Sequence, residues 1–209
     1  YYMGHCMNVF KPTEVKMMLS VFSAMETVHM AAYAHLLDTV GLPETEYSEF
    51  LKIKAMRDKY DYLHGCKSDT LHNIAKTVAI CSAFTEGVQL FASFAILLNF
   101  PRHNKMKGMG QIITWSVRDE TLHCNSMIRL FNELMKENPE VWTTKLKDEI
   151  YKACKIAVAQ EDAMIDLAFE QGPLENLKSE EVKQYIRWIA NRRLTQLNLD
   201  PLYKVDKNP

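Results

Sequence analysis

From Val78 to Phe100 the chain reads VAICSAFTEGVQLFASFAILLNF, and its only charged side chain is Glu86. A segment this apolar has to leave water, inside either a protein core or a bilayer. Glu86, Gln89 and Asn99 interrupt it too often for a membrane span, so the expected element is a buried helix. That places a carboxylate among oily side chains. Burying it uncompensated costs several kcal/mol, on the order of known penalties for lone buried charges, or forces it to take up a proton. An arginine from a neighbouring helix would remove the cost, and so would a metal ion.

The rest of the chain is read as helical as well. Glycine is scarce, with 7 in 209 residues, and long segments repeat apolar residues every three to four positions. A first helix is expected from Thr13, with a cap at its start, to about Thr39, ended by Gly41-Leu42-Pro43. A second is expected from Glu44 to about Leu63, closed by His64-Gly65, and a third from about Thr70 to Leu98, stopped by Asn99-Phe100-Pro101. A fourth should start at Lys105 or Gly110 and run to Lys136. One or two more fill Glu140 to Glu170, and a last spans Ser179 to Leu197 with Ser179 as its cap. The length suits one substantial core, and nothing reads as a linker, so a single all-α domain over residues 1–209 is expected.

Bulk properties narrow the function mainly by exclusion. Apolar residues make up 47 %, charged residues 24 %, and the formal net charge is -1. Disorder and a nucleic-acid-binding surface are therefore disfavoured. Cys6, Cys66, Cys81, Cys124 and Cys154 are scattered and odd in number, with no C-x-x-C pair, as expected of free thiols in a reducing compartment. Cytoplasmic placement, with no membrane partner, is the expectation.

One short motif recurs. Glu26-Thr-Val-His29 lies in the first long helix and Glu120-Thr-Leu-His123 in the fourth. Residues three apart on a helix share a face, so a carboxylate and an imidazole can converge on one ion. A single copy is an ordinary feature of a solvated helix. Two copies on separate helices, with Glu86 inside a third, give the ligand pattern of dinuclear carboxylate proteins built in four-helix bundles. Oxygen and imidazole donors suit iron or manganese. Tyr33 follows His29 by four residues on the same face, where a phenol could surrender an electron and a proton to an oxidised centre. Phe94 and Leu90 are candidate apolar walls for it. Taken alone, Tyr33 would be read as a core tyrosine, Glu86 as half of an ion pair, and Asp119 as a surface partner of Arg118.

The combination Glu26-x-x-His29-x-x-x-Tyr33, Glu86 in an apolar helix, and Arg118-Asp119-Glu120-x-x-His123 resembles the radical-generating small (β) subunit of class I ribonucleotide reductase. The resemblance runs from Asn8-Val-Phe-Lys-Pro-Thr-Glu14 to Leu199-Asp-Pro-Leu-Tyr203. It implies a ferritin-like helical bundle with a dinuclear iron, manganese–iron or dimanganese site in its core. Glu26, His29, Glu86, Glu120 and His123 would be its metal ligands, and Tyr33 would hold the radical. Asp119 would accept a hydrogen bond from the His29 ring nitrogen that does not bind metal, on the route by which the radical leaves.

The implied activity is that of a ribonucleoside-diphosphate reductase. The centre would activate dioxygen, and the oxidising equivalent of Tyr33 would pass to a cysteine in a separate large (α) subunit that binds the nucleotide. A homodimer is implied as well. The family pattern includes a sixth ligand, an aspartate on a helix before the first Glu-x-x-His, yet no acid precedes Glu14. That aspartate is expected shortly before Tyr1. An upstream tryptophan and a C-terminal docking tail are also lacking, so a sequence truncated at both ends is expected. Two other functions remain open at this stage: a dinuclear oxidase acting on a bound lipid, and an iron-storage or purely structural bundle.

Overall fold

The computed structural model describes residues 2–43, 45, 49, 52–64, 67–170 and 172–205. Glu44, the expected start of the second helix, and Gly65, part of its expected stop, lie outside the described residues, as do Tyr1, Cys66 and Asp206 to Pro209. Every regular element among the described residues is helical, and β structure is limited to an isolated bridge between Leu174 and Leu177. The chain divides into two compact units, Tyr1–Ile74 and Ala75–Pro209. No described helix is long and apolar enough to cross a membrane.

The first unit is organised by α1, Thr13–Val40. Pro12 takes the cap position with φ -56° and ψ 134°, so Thr13 is the first helical residue and not the cap. The proline ring presets φ, which leaves the non-helical entry to residue 12. Gly41 stops the helix at φ 83°, and its N–H donates to Leu37 and Asp38 carbonyls while Leu42 N–H donates to Leu37. A left-handed residue that costs glycine little closes the end. Leu19 and Phe22 are buried on the inner side, where the Tyr2 ring lies 5.6 Å from that of Phe22. Tyr2 belongs to a short π-helical turn, Tyr2–Cys6, packed on α1. The described residues of the unit also form a short helical segment, Met7–Val9, and the helix α2, Lys54–His64.

The second unit holds the larger core. Helix α3, Leu71–Ile80, enters it at Ala75 and gives way to a π-helical turn, Cys81–Thr85, then to non-helical turns through Leu90. Helix α4, Phe91–Arg102, follows. The single helix expected across this stretch is thus broken in its middle. Its far end is also later than expected, since Pro101 lies inside the last turn of α4. A Cβ on Gly110 would come within 2.7 Å of the Pro101 ring, so the glycine admits close packing there.

Helix α5, Lys107–Glu137, is the longest; α6 is Thr144–Phe169 and α7 is Ser179–Gln196. Thr143 caps α6 by accepting from Leu146 N–H at 3.2 Å. Ser179 is helical, so the cap of α7 falls to Lys178, whose N–H donates to the Glu181 carboxylate at 2.9 Å. Helix α4 packs on α5, α6 and α7, and α6 packs on α7. The Cys81–Thr85 turn touches α5, α6 and α7 as well, which puts the break at the centre of the unit.

Candidate metal centre

On α1 the residues Leu19, Phe22, Glu26, His29 and Tyr33 follow one another at alternating steps of three and four, a single stripe along a helix. The chemistry therefore continues the core face. His29 is buried, and Tyr33 is half-buried. The His29 Nδ1 lies 3.4 Å from Glu26 Oε2, with the Glu26 side chain 38 % exposed.

Helix α5 repeats the arrangement in the second unit. Ile113, Ser116, Glu120, His123 and Met127 form the same kind of stripe, and all five are buried. His123 Nδ1 lies 3.9 Å from Glu120 Oε2, and the imidazole has no exposed surface. In both copies the Nδ1 edge of the ring, not the Nε2 edge, faces the carboxylate. Donor atoms sharing a small transition ion at about 2.0–2.2 Å sit about 3 Å apart, so each pair needs only a modest side-chain adjustment to close on one.

Glu86 is placed by the broken helix. Its N–H donates to Cys81 O at 3.0 Å, the five-residue bond that defines a π turn. Gly87, next to it, packs so tightly that an added Cβ would meet Ala83 O at 2.3 Å, Arg193 Nε at 2.7 Å and Cys124 Sγ at 2.8 Å. Cys124 directly follows His123. Burial pushes its thiol up to about 12, Arg193 opposes the shift, and the nearby charges of Glu86 and Glu120 add to it. The Cys124 thiol is thus within electrostatic reach of both carboxylates, which gathers Glu86, Glu120 and His123 into one neighbourhood of the unit.

Asp119 is largely buried, its side chain 18 % exposed, and its Oδ1 accepts from Arg118 Nε at 3.3 Å, with Arg118 in solvent. Of the expected apolar walls, Phe94 is buried but Leu90 is 37 % exposed, because it sits at the turn before α4. Two charged residues escaped the sequence reading. Glu161 on α6 is fully buried and accepts from Ala92 N–H at 3.2 Å. Arg193 on α7 is buried and donates from Nε to Gly87 O at 3.1 Å. Their signal was phase: each continues the buried row of its helix, Ile150, Ala157 and Ile165 for Glu161, and Ile186 and Ala190 for Arg193.

The family model for the ribonucleotide reductase small chain matches residues 1–209. The chain belongs to the ribonucleotide reductase small-chain family. It is 45 % identical over 221 residues to a probable ribonucleoside-diphosphate reductase small subunit of Invertebrate iridescent virus 3, covering 97 % of this chain and 59 % of that protein. It is 34 % identical to the ribonucleoside-diphosphate reductase subunit beta of Chlamydia pneumoniae, covering 88 % of this chain and 56 % of that one. This small chain thus spans under two thirds of both relatives.

The ribonucleotide reductase R2 subunit from Clostridium botulinum superposes with a TM-score of 0.85 at 24 % identity, over 93 % of this chain and 63 % of that one. The dimanganese(II) NrdF of Streptococcus sanguinis gives 0.79 at 22 % identity, over 94 % and 68 %. These likenesses establish the ferritin-like all-α fold of the small chain. The side chains that α1, α5 and the broken segment each offer, Glu26 and His29, Glu120 and His123, and Glu86, carry carboxylate oxygens and imidazole nitrogens, a donor chemistry that fits iron or manganese.

Proposed function

We propose that this chain is the metal- and radical-bearing part of a ribonucleoside-diphosphate reductase small subunit. Glu26, His29, Glu86, Glu120 and His123 would hold the dinuclear centre, iron or manganese. The observation that carries the reading is the matched pair of Glu-x-x-His sites, each presenting Nδ1 and Oε2 toward a common point on the core stripe of its helix. When bound, the metals supply the oxidising power that removes one electron from a nearby phenol. Tyr33, one turn beyond His29, would be the phenol that loses that electron together with its hydroxyl proton.

The protein's own part is to orient and to insulate. His29 Nδ1 faces Glu26, which leaves Nε2 to donate to a carboxylate, the role assigned to Asp119; such a bond fixes the tautomer and the ring plane. The radical would leave toward a cysteine of a large subunit that binds the ribonucleotide. A second copy of the chain is the natural partner of α1, because Met17, Val21 and Val28 are 64 %, 56 % and 66 % exposed on one helical stripe. A cytoplasmic location accords with the reduced state of Cys6, Cys81, Cys124 and Cys154.

Electron paramagnetic resonance on the full-length protein tests the reading after loading with iron(II) or manganese(II) and exposure to oxidant. Wild type should show an organic radical, and Tyr33→Phe should lose it while keeping its metals. A radical that survives Tyr33→Phe would reject Tyr33 as its seat. Metal binding unchanged in Glu120→Ala would reject the ligand set.

A further inference from the structure

The break between α3 and α4 is held open from outside. A π turn contains one residue more than an α turn, and at 3.6 residues per turn one residue corresponds to roughly 100° of rotation about the axis. Were the stretch to relax into a continuous α-helix, side chains on one side of Glu86 would swing by about that angle relative to those on the other. The direction of the Glu86 carboxylate therefore depends on keeping the break.

Three attachments keep it. Arg193 Nε donates to Gly87 O at 3.1 Å, the residue next to Glu86. Gln160 accepts from the Gln89 amide at 2.5 Å. Glu161, adjacent to Gln160 on α6, accepts from Ala92 N–H at 3.2 Å. Ala92 is the second residue of α4, and Leu90 at the cap position makes no side-chain cap. Glu161 thus supplies from another helix the acceptor that a serine or aspartate cap would give, at the end of the helix where negative charge is favoured. Arg193 answers the complementary need of a buried backbone carbonyl within the break. Its guanidinium is also held by Gln196 Oε1 at 3.0 Å and lies over the Phe91 ring at 5.6 Å, so it has little freedom to drift.

We infer that Glu161 and Arg193 are positioning residues that aim Glu86 by clamping the broken helix at the two ends of Gly87–Ala92, the segment directly after it. The inference rests on the proposed role of Glu86 as a metal ligand. Outer partners of ligands typically change metal affinity by about 10–100-fold when removed.

The test is anaerobic titration of the metal-free full-length protein with manganese(II), alongside its thermal melt. Glu161→Ala and Arg193→Met should each weaken manganese binding by at least roughly 10-fold. Glu161→Gln, which keeps an acceptor at the same reach, should stay near wild type, and Glu161→Asp, one methylene short, should fall toward alanine. Asp162→Asn serves as the stability control, since Asp162 Oδ2 pairs with Arg187 Nη2 at 2.7 Å away from the break. It should lower the melting temperature and leave manganese affinity alone. Should Glu161→Ala fail to fold, the contrast between glutamine and aspartate carries the test. Equal affinity in wild type, Glu161→Asp and Arg193→Met overturns the clamp, as does an affinity loss in Asp162→Asn as large as theirs. A wild type that binds no manganese overturns instead the metal assignment beneath it.

Discussion

Gly87→Ala isolates the packing at the break. The added Cβ would stand 2.3 Å from Ala83 O, 2.7 Å from Arg193 Nε and 2.8 Å from Cys124 Sγ. The first of these is backbone within the π turn, so no rotamer change relieves it. Forcing extra volume into a packed core costs about 1–3 kcal/mol. Displacing Arg193 also loses its hydrogen bond to Gly87 O, and a buried bond to a charged group contributes about 1.5–3 kcal/mol. The sum, roughly 2.5–6 kcal/mol, is a large share of the 5–15 kcal/mol typical of a folded protein and corresponds to a melting point lower by on the order of 10 °C. Trp115, Trp142 and Trp188 all lie in the second unit, so tryptophan fluorescence during urea or thermal unfolding reports on it specifically. Gly108→Ala is the companion measurement. Gly108 is in α5 with nothing near its would-be Cβ, so alanine there should be neutral or stabilise by up to about 1 kcal/mol. A Gly87→Ala protein within about 0.5 kcal/mol of wild type would refute the packing argument, because that is the range of ordinary surface substitutions.

Two further outcomes follow from groups in the same unit. Burial pushes the thiols of Cys124 and Cys154 from 9.0 up to about 12. An unfolded chain sheds these protons first, so the stability they contribute is intact below pH 9 and is lost as pH climbs from 9 toward 12. Urea midpoints measured between pH 8 and 10.5 should therefore fall for wild type, and fall less steeply for Cys124→Ala or Cys154→Ala; parallel slopes would count against the shifted thiols. Asn191 pins the segment after α7, its Oδ1 accepting from Leu202 and Tyr203 N–H at 2.9 and 3.0 Å and its Nδ2 donating to Tyr203 O at 2.8 Å. Asn191→Ala should cost about 1–3 kcal/mol and expose the Leu202 and Tyr203 amides to fast hydrogen exchange. Unchanged protection at those two amides would mean that other contacts hold the segment.

Much of this molecule was legible because helical periodicity and ligand spacing obey the same geometry. Steps of three and four place Glu26 with His29, and Glu120 with His123, on the face that also buries Leu19, Phe22, Ile113 and Met127. Reading the core stripe and reading the donors were one operation. Helix ends were legible where a residue has no alternative, as at Gly41, and illegible where two neighbours compete for one role, as Pro12 did with Thr13 and Lys178 with Ser179.

The break after Ile80 was hidden for a different reason. Nothing in CSAFTEGVQL forbids an α-helix, and a sequence window weighs only local preference. The interruption is instead held by partners more than sixty positions away, Glu161 and Arg193, that satisfy the backbone groups a break would leave bare. Tertiary capping of this kind converts a locally neutral segment into a bent one, and it does so beside the single carboxylate of the apolar stretch. The charges buried in the core rows of α6 and α7 and the one charge of the apolar stretch are therefore parts of one arrangement. A buried acid and a buried guanidinium, each spent on a backbone group of the segment that follows Glu86, are what allow that glutamate to be aimed by the fold and not by its own helix.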